Sequence, residues 1–310
     1  MTRRRRADAW DEAVGRRKAT RKYGFGTLGW VLGQYRQSPQ YRSLSPSTRR
    51  TYEQAFDRLH AFGQQDIRGL RRRHVLQIRD SLADTAGIAN TVVSAIRQLC
   101  RWALDHEIID VDPTARVSRL ELGEWRRWTD DEMRRFYHET YEALRRVMVL
   151  ALYTGQRRGD LCRMVWSDVE GGAIRVTQQK TDARLWIPIH PTLQQHLSEW
   201  RRETETVTVL AHSDRRPWQP DTLSRAFSNE ITRLGMKGCT IHGFRKTAAA
   251  KLAEAGCTTK QIMAITGHAS LTEVERYTRE AEQRGLAEGA MSMVAPLPWE
   301  MVHKPLKRKA

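Results

Sequence analysis

From Leu144 to Tyr153 the chain is apolar at nearly every position except Arg145 and Arg146, and Gly155 follows two residues later. A helix apolar almost all round must lie inside a protein core. This one is far short of the about 20 residues that span a bilayer. The run is therefore expected to be a buried core helix that closes at Gly155, the residue type that most readily takes the left-handed cap. No uninterrupted run of about 18 apolar residues occurs anywhere, so no membrane partner is expected.

The periodicity around this helix divides the chain. A helical pattern starts at Thr27, and Ser45-Pro46 marks a second helix start that continues through Tyr52, Ala55, Phe56, Leu59 and Phe62 to Gly63. A third helix is expected over Arg73 to Leu82. Val92, Val93, Ile96, Leu99, Cys100, Ala103 and Leu104 form the stripe of a fourth, with Arg97 and Arg101 on its other face. Asp112-Pro113 ends this set, and 113–127 reads as a link. Thr129-Asp130-Asp131-Glu132 is a capping box that opens the next helix. Between Ala173 and Ile189 the period drops to two on either side of Lys180-Thr181-Asp182-Ala183, which predicts a β-hairpin. Helices are expected again over 191–203, 221–234, 243–255 and 259–265. The fold class expected is mainly α: a helical core-type domain over 25–118, and over 124–295 a mostly helical domain with a small antiparallel β-sheet. A basic flexible arm over 1–24 and a basic tail over 296–310 complete the layout.

The 310 residues, 40% of them hydrophobic, are enough for real cores. The formal net charge is +17, of which +11 falls on residues 1–120. An excess of this size, mostly arginine, points to nucleic acid. Arg49, Arg50, Arg71, Arg72, Arg73, Arg97 and Arg101 are the candidate DNA-binding residues. Cys100, Cys162, Cys239 and Cys257 lie in apolar or helical stretches and read as reduced core residues of a cytoplasmic, nucleoid-associated protein. Arg3 to Arg6 lack a following apolar stretch and do not read as a signal peptide.

Six residues carry chemistry together: Arg157, Lys180, His242, Arg245, His268 and Tyr277. Arginines clamp a phosphate bidentately. A tyrosine can attack it and hold the product covalently, and a lysine and histidines can move the protons. No carboxylate of the set is placed to hold Mg²⁺, so phosphoryl transfer on nucleic acid without metal or other cofactor is indicated. Each residue alone has a plainer reading: Arg157 as a helix cap, Lys180 as a solvated turn residue, His268 as a cap, Tyr277 as a half-buried surface residue. A zinc site from Cys239, His242, Cys257 and His268 lacks the paired Cys-x₂-Cys spacing of a structural site.

The joint pattern resembles the tyrosine recombinases, the phage-integrase family. Thr154-Gly155-Gln156-Arg157 matches that family's first arginine motif, with Asp160 where a Glu is usual. His242-Gly243-Phe244-Arg245 matches its His-x-x-Arg box, followed by Lys246 where a His is frequent, and Thr266-Gly267-His268 matches its Leu-Gly-His box except that Thr266 stands in place of the Leu. The hairpin lysine is then Lys180, and the nucleophile, nine residues after His268, is Tyr277. The resemblance implies strand breakage and rejoining through a 3′-phosphotyrosine, with no metal and no ATP. Both arginines are expected to engage the phosphate and His268 to hydrogen-bond it. His242 is expected to act as base, and Lys180, its pKa lowered by burial beside arginines, as acid. Double-stranded DNA, a homotetramer on paired sites, and accessory DNA-bending or directionality proteins are the partners implied. The segment from Ala281 to Val294 is expected to dock on a neighbouring protomer. An integrase is favoured over a Xer-type chromosome-dimer resolution recombinase. A catalytically idle DNA-binding relative is the reading from another class, and a type IB topoisomerase would share the chemistry.

Overall fold

The computed structural model describes residues 23–123, 126–203 and 205–295. They form two compact units, divided after Gly123. Most of the expected 1–24 arm and all of the 296–310 tail lie outside the described residues.

In the front unit four helices enclose one core. They are α1 (Leu28–Gln37), α2 (Pro46–Asp57), α3 (Arg72–Asp80) and α4 (Ala86–Asp105). Thr27 and Ser45 cap α1 and α2 by accepting the backbone N–H of Trp30 and Thr48. Val31, Phe56, Val75, Val93 and Ile96 are at most 2% exposed and meet at the centre. Two details differ from the sequence reading. A short helical turn, Pro39–Arg42, precedes α2, and α2 ends at Asp57 rather than running to Gly63. The segment after Pro113 also stays with this unit. Asn90 on α4 brackets Leu120, its Nδ2 donating to the carbonyl and its Oδ1 accepting the N–H, both at 2.8 Å.

The second unit begins with α5 (Asp130–Glu139), whose Thr129–Glu132 capping box is formed as expected. Helix α6 (Glu142–Thr154) is the core helix, and Gly155 caps it with φ 62°. The short α7 (Arg158–Arg163) follows, then a three-stranded antiparallel sheet in chain order: β1 (Val169–Glu170), β2 (Ala173–Thr177) and β3 (Arg184–Pro188). In the hairpin Ile174 faces Ile187 and Val176 faces Leu185, so alternate residues turn inward. The rest is α8 (Pro191–Glu203), α9 (Pro220–Arg233), α10 (Ile241–Glu254), α11 (Thr259–Thr266) and α12 (Leu271–Met293). The core centres on Leu144, Leu150, Leu161, Ile174, Ile187 and Phe244. The chain is thus mainly helical with a small antiparallel sheet.

Trp128 fixes the start of α10. Its indole Nε1 donates to Thr240 O at 3.0 Å, its ring stacks on Phe244, and its backbone N–H donates to Thr247 Oγ1 at 2.9 Å. A Cβ on Gly243 would fall 2.8 Å from the indole, so that close approach needs glycine. Among the described residues no helix is long and apolar enough to cross a membrane.

Candidate active site

Arg157, Lys180 and His242 line one cavity of about 620 Å³. Three separate elements deliver them. Arg157 sits at the N-cap of α7, two residues past the left-handed Gly155, so the chain turns back across the end of α6. Lys180 stands on the β2–β3 turn. His242 is in the first turn of α10, whose N-cap Thr240 accepts the Gly243 N–H at 3.0 Å. A helix start with unpaired amides favours anions.

Arg245 lies three residues on and is 1% exposed. Its Nη1 donates to the carbonyls of Gly155 at 2.8 Å and Thr266 at 2.5 Å, and its Nε donates to His268 Nε2 at 3.2 Å. It ties together the loops that carry Arg157 and His268. His268 is also buried, and Thr266 Oγ1 lies 2.7 Å from its Nδ1. That hydroxyl gives its own hydrogen to Ile262 O. The network therefore assigns the proton to Nδ1 and leaves Nε2 as acceptor. Both ring nitrogens are engaged within the protein, one by Arg245 and one by Thr266.

The cations leave a clear electrostatic mark. Burial, then Arg245, Arg157 and His242, push the His268 pKa down to about 3. His242 is exposed at the cavity rim. Desolvation by the protein around it, then Arg245, Lys246, Arg157 and Lys180, lower its pKa below the ordinary histidine value. A neutral imidazole is thus available beside two guanidinium groups. Lys180 itself is exposed on its turn, so the burial expected to act on it is not present. A hairpin tip carries its polar side chains outward, and that geometry decides the point.

Sequence reasoning missed Gln178. This side chain, 0% exposed, accepts from Arg157 Nη1 at 2.7 Å and Thr181 Oγ1 at 2.9 Å, and donates to Gln156 Oε1 at 2.6 Å and Thr266 O at 2.8 Å. Asp160 stands where the family motif usually has Glu. It is 4% exposed and accepts the Gln179 N–H at 3.0 Å and Arg163 Nη2 at 2.6 Å, which holds the hairpin turn against α7. Tyr277 falls within α12, which is pinned by Val274 packing with Ala249, Ala253 and Ile262. The tyrosine's side chain lies outside the described residues. Among the described residues no group of three or more His, Cys, Asp or Glu is arranged to hold a metal ion.

The candidate DNA-binding arginines divide by environment. Arg50, Arg71, Arg72, Arg73 and Arg101 are exposed, and Arg49 is half-buried. Arg97 is also half-buried and donates to Val117 O at 2.9 Å, so it holds the post-α4 segment in place.

The family model that matches residues 126–284, just over half of the chain, is described as the phage integrase family. The chain belongs to the phage integrase family. It is 31% identical over 208 residues to the integrase of Enterobacteria phage 434, covering 62% of this chain and 58% of that protein. The integrase of Escherichia phage lambda is 32% identical over the same length, again with 62% and 58% covered. The chain therefore spans under three fifths of the length of these curated relatives. The solved structure of a lambda integrase dimer bound to a COC′ core site superposes with TM-score 0.73 at 26% identity, covering 81% of this chain and 95% of that one. A lambda integrase tetramer bound to a Holliday junction gives TM-score 0.69 at 25% identity, with 88% and 89% covered.

Proposed function

We propose that this integrase-family chain is a site-specific DNA recombinase that cleaves and rejoins strands through Tyr277, by way of a 3′-phosphotyrosine and a free 5′-hydroxyl. The observation that carries the reading is the convergence of Arg157, Lys180 and His242 on one cavity, with Arg245 buried behind it. Guanidinium groups held in advance stabilise charge that develops on a phosphorane without reorganising. Neutral His242 takes the proton of the attacking hydroxyl. Lys180, exposed on its turn, gives a proton to the leaving 5′-oxygen. The phosphoester bond energy is kept in the adduct, so strand exchange is the same step reversed with another 5′-hydroxyl, and no metal or ATP enters.

Double-stranded DNA is the substrate, which the +17 net charge supports. Two sites and four cuts call for a homotetramer, as in the lambda integrase tetramer bound to a Holliday junction. The 25–118 segment is the core-type DNA-binding domain. Leu286, Met291 and Met293 on α12, and Val294 just after it, are 54 to 82% exposed, which supports docking of this segment on a neighbouring protomer. The phage relatives support an integrase rather than a chromosome-dimer resolvase. Accessory DNA-bending or directionality proteins, and a location on the nucleoid, belong to the same proposal.

The test is a nicked suicide substrate that releases the 5′ fragment. The parent chain should form a covalent adduct at the 3′-phosphate with EDTA present, and Tyr277→Phe should bind the DNA and form none. An adduct that persists in Tyr277→Phe, or cleavage that requires Mg²⁺, sinks the reading.

A further inference from the structure

Gln178 uses its whole hydrogen-bonding capacity inside the protein, with two bonds accepted and two donated. Its orientation is not free. Arg157 can only donate and Thr266 O can only accept, so the amide oxygen must face the arginine and the amide nitrogen must face the histidine loop. Gln156 extends the network, its Nε2 donating to Thr154 O at 2.8 Å and Ile265 O at 2.9 Å. Room for the amide is built in: a Cβ on Gly267 would fall 2.4 Å from Gln178 Nε2. Burying an amide in a core is costly unless every group is paired. Here the pairs join three places: the loop of Arg157, the turn that carries Lys180, and the carbonyl of Thr266 that also receives Arg245.

We propose that Gln178 is a positioning residue of the active site: its amide oxygen aims the Arg157 guanidinium and, through Thr181, holds the Lys180 turn in register with it. This rests on the function proposed above. No bond is made to substrate by Gln178 itself. It acts through two side chains that otherwise come from different elements. Misplacing reacting groups by about 1 Å can cost on the order of 10²-fold in rate.

The experiment is single-turnover cleavage at saturating DNA by full-length Gln178→Met, Thr181→Val and Thr181→Ser. Each is run on an ordinary phosphodiester and on a substrate whose 5′-bridging oxygen is sulfur, a leaving group that needs no proton. Thr181 is half-buried, so Thr181→Val removes the bond to Gln178 from a fold that can bear it. Thr181→Val should cleave roughly tenfold slower, with Thr181→Ser restoring the rate, and the sulfur substrate should return Thr181→Val to the parent's rate. Gln178→Met should lose about 10²-fold and regain only part of it with sulfur, because Arg157 is also released. DNA affinity should change by less than about threefold in all three, since the bonds lost touch no phosphate. Parental rates in Thr181→Val, or a loss in that variant that sulfur does not relieve, overturn the proposal. A parent chain that forms no adduct at all fails at the earlier step and refutes the recombinase reading itself.

Discussion

Arg245 donates from Nε to His268 Nε2 at 3.2 Å, and the Thr266 hydroxyl fixes the other nitrogen of that ring. The pair is an arginine held by a neutral histidine. Protonating His268 would put a cation against a buried guanidinium, which is why its pKa is pushed down to about 3, by burial first and then by Arg245, Arg157 and His242. A group with a depressed folded pKa contributes stability that is full above its unfolded value of about 6.5 and is lost as pH falls toward the folded value. His242, also lowered, acts with the same sign. Each proton fully linked to unfolding removes about 1.4 kcal/mol per pH unit. Urea midpoints should therefore drop between pH 7 and pH 5, and less steeply in His268→Asn. A parent midpoint that stays flat over that interval contradicts the assignment.

Gly155 and Gly267 should not tolerate a methyl group. Both have left-handed φ, 62° and 68°. A Cβ would fall 2.8 Å from Thr266 Cγ2 in one case and 2.4 Å from Gln178 Nε2 in the other. Left-handed backbone alone costs an ordinary residue about 1–2 kcal/mol, and the contacts add to it. Chemical denaturation should show each Gly→Ala variant destabilised by at least about 1 kcal/mol. Gly256→Ala is the control, with φ 84° and nothing within 4 Å, so it bears the backbone cost alone and should lose the least.

Lys180→Ala should slow cleavage by about 10²–10⁴-fold and leave duplex affinity nearly unchanged. A proton donor to a leaving oxygen acts in the transition state and not in the bound ground state. Single-turnover rates beside equilibrium binding make the distinction. A matching loss in both would mark Lys180 as a phosphate contact.

The arginines of the front unit should separate in a salt series. Replacing Arg72, Arg73 or Arg101, all exposed, should lower the slope of log K against log salt by about 0.9 per lost phosphate contact. Arg97→Ala should leave that slope alone and lower the melting temperature, because its guanidinium holds Val117 O. A slope change in Arg97→Ala without a stability change would reverse this order.

Much of this is legible in the sequence. Thr129, Thr27 and Ser45 announce helix starts because caps are local chemistry, and the hairpin shows itself because two residues per period cannot be mistaken for 3.6. The residues missed depend on distant partners. Gln178 reads as one polar residue among Thr177, Gln178 and Gln179 at a strand end. Apart from nearby Thr181, its partners lie 21 to 88 positions away in the chain. Asp160 and Thr266, noted as departures from a pattern, have structural tasks: one holds the hairpin backbone, and the other orients a histidine ring. Helix α7, at six residues, is too short to show a period. His268 reads as a phosphate ligand from its motif alone, while its engagement by Arg245 and Thr266 is visible only in three dimensions.

The buried guanidinium of Arg245 confounds the deletion experiment most often chosen for such a residue. Truncation to alanine abandons the carbonyls of Gly155 and Thr266 and unseats His268 in the same stroke. An inactive Arg245→Ala protein would therefore testify about masonry before it testified about chemistry, since this one side chain is the keystone of both loops.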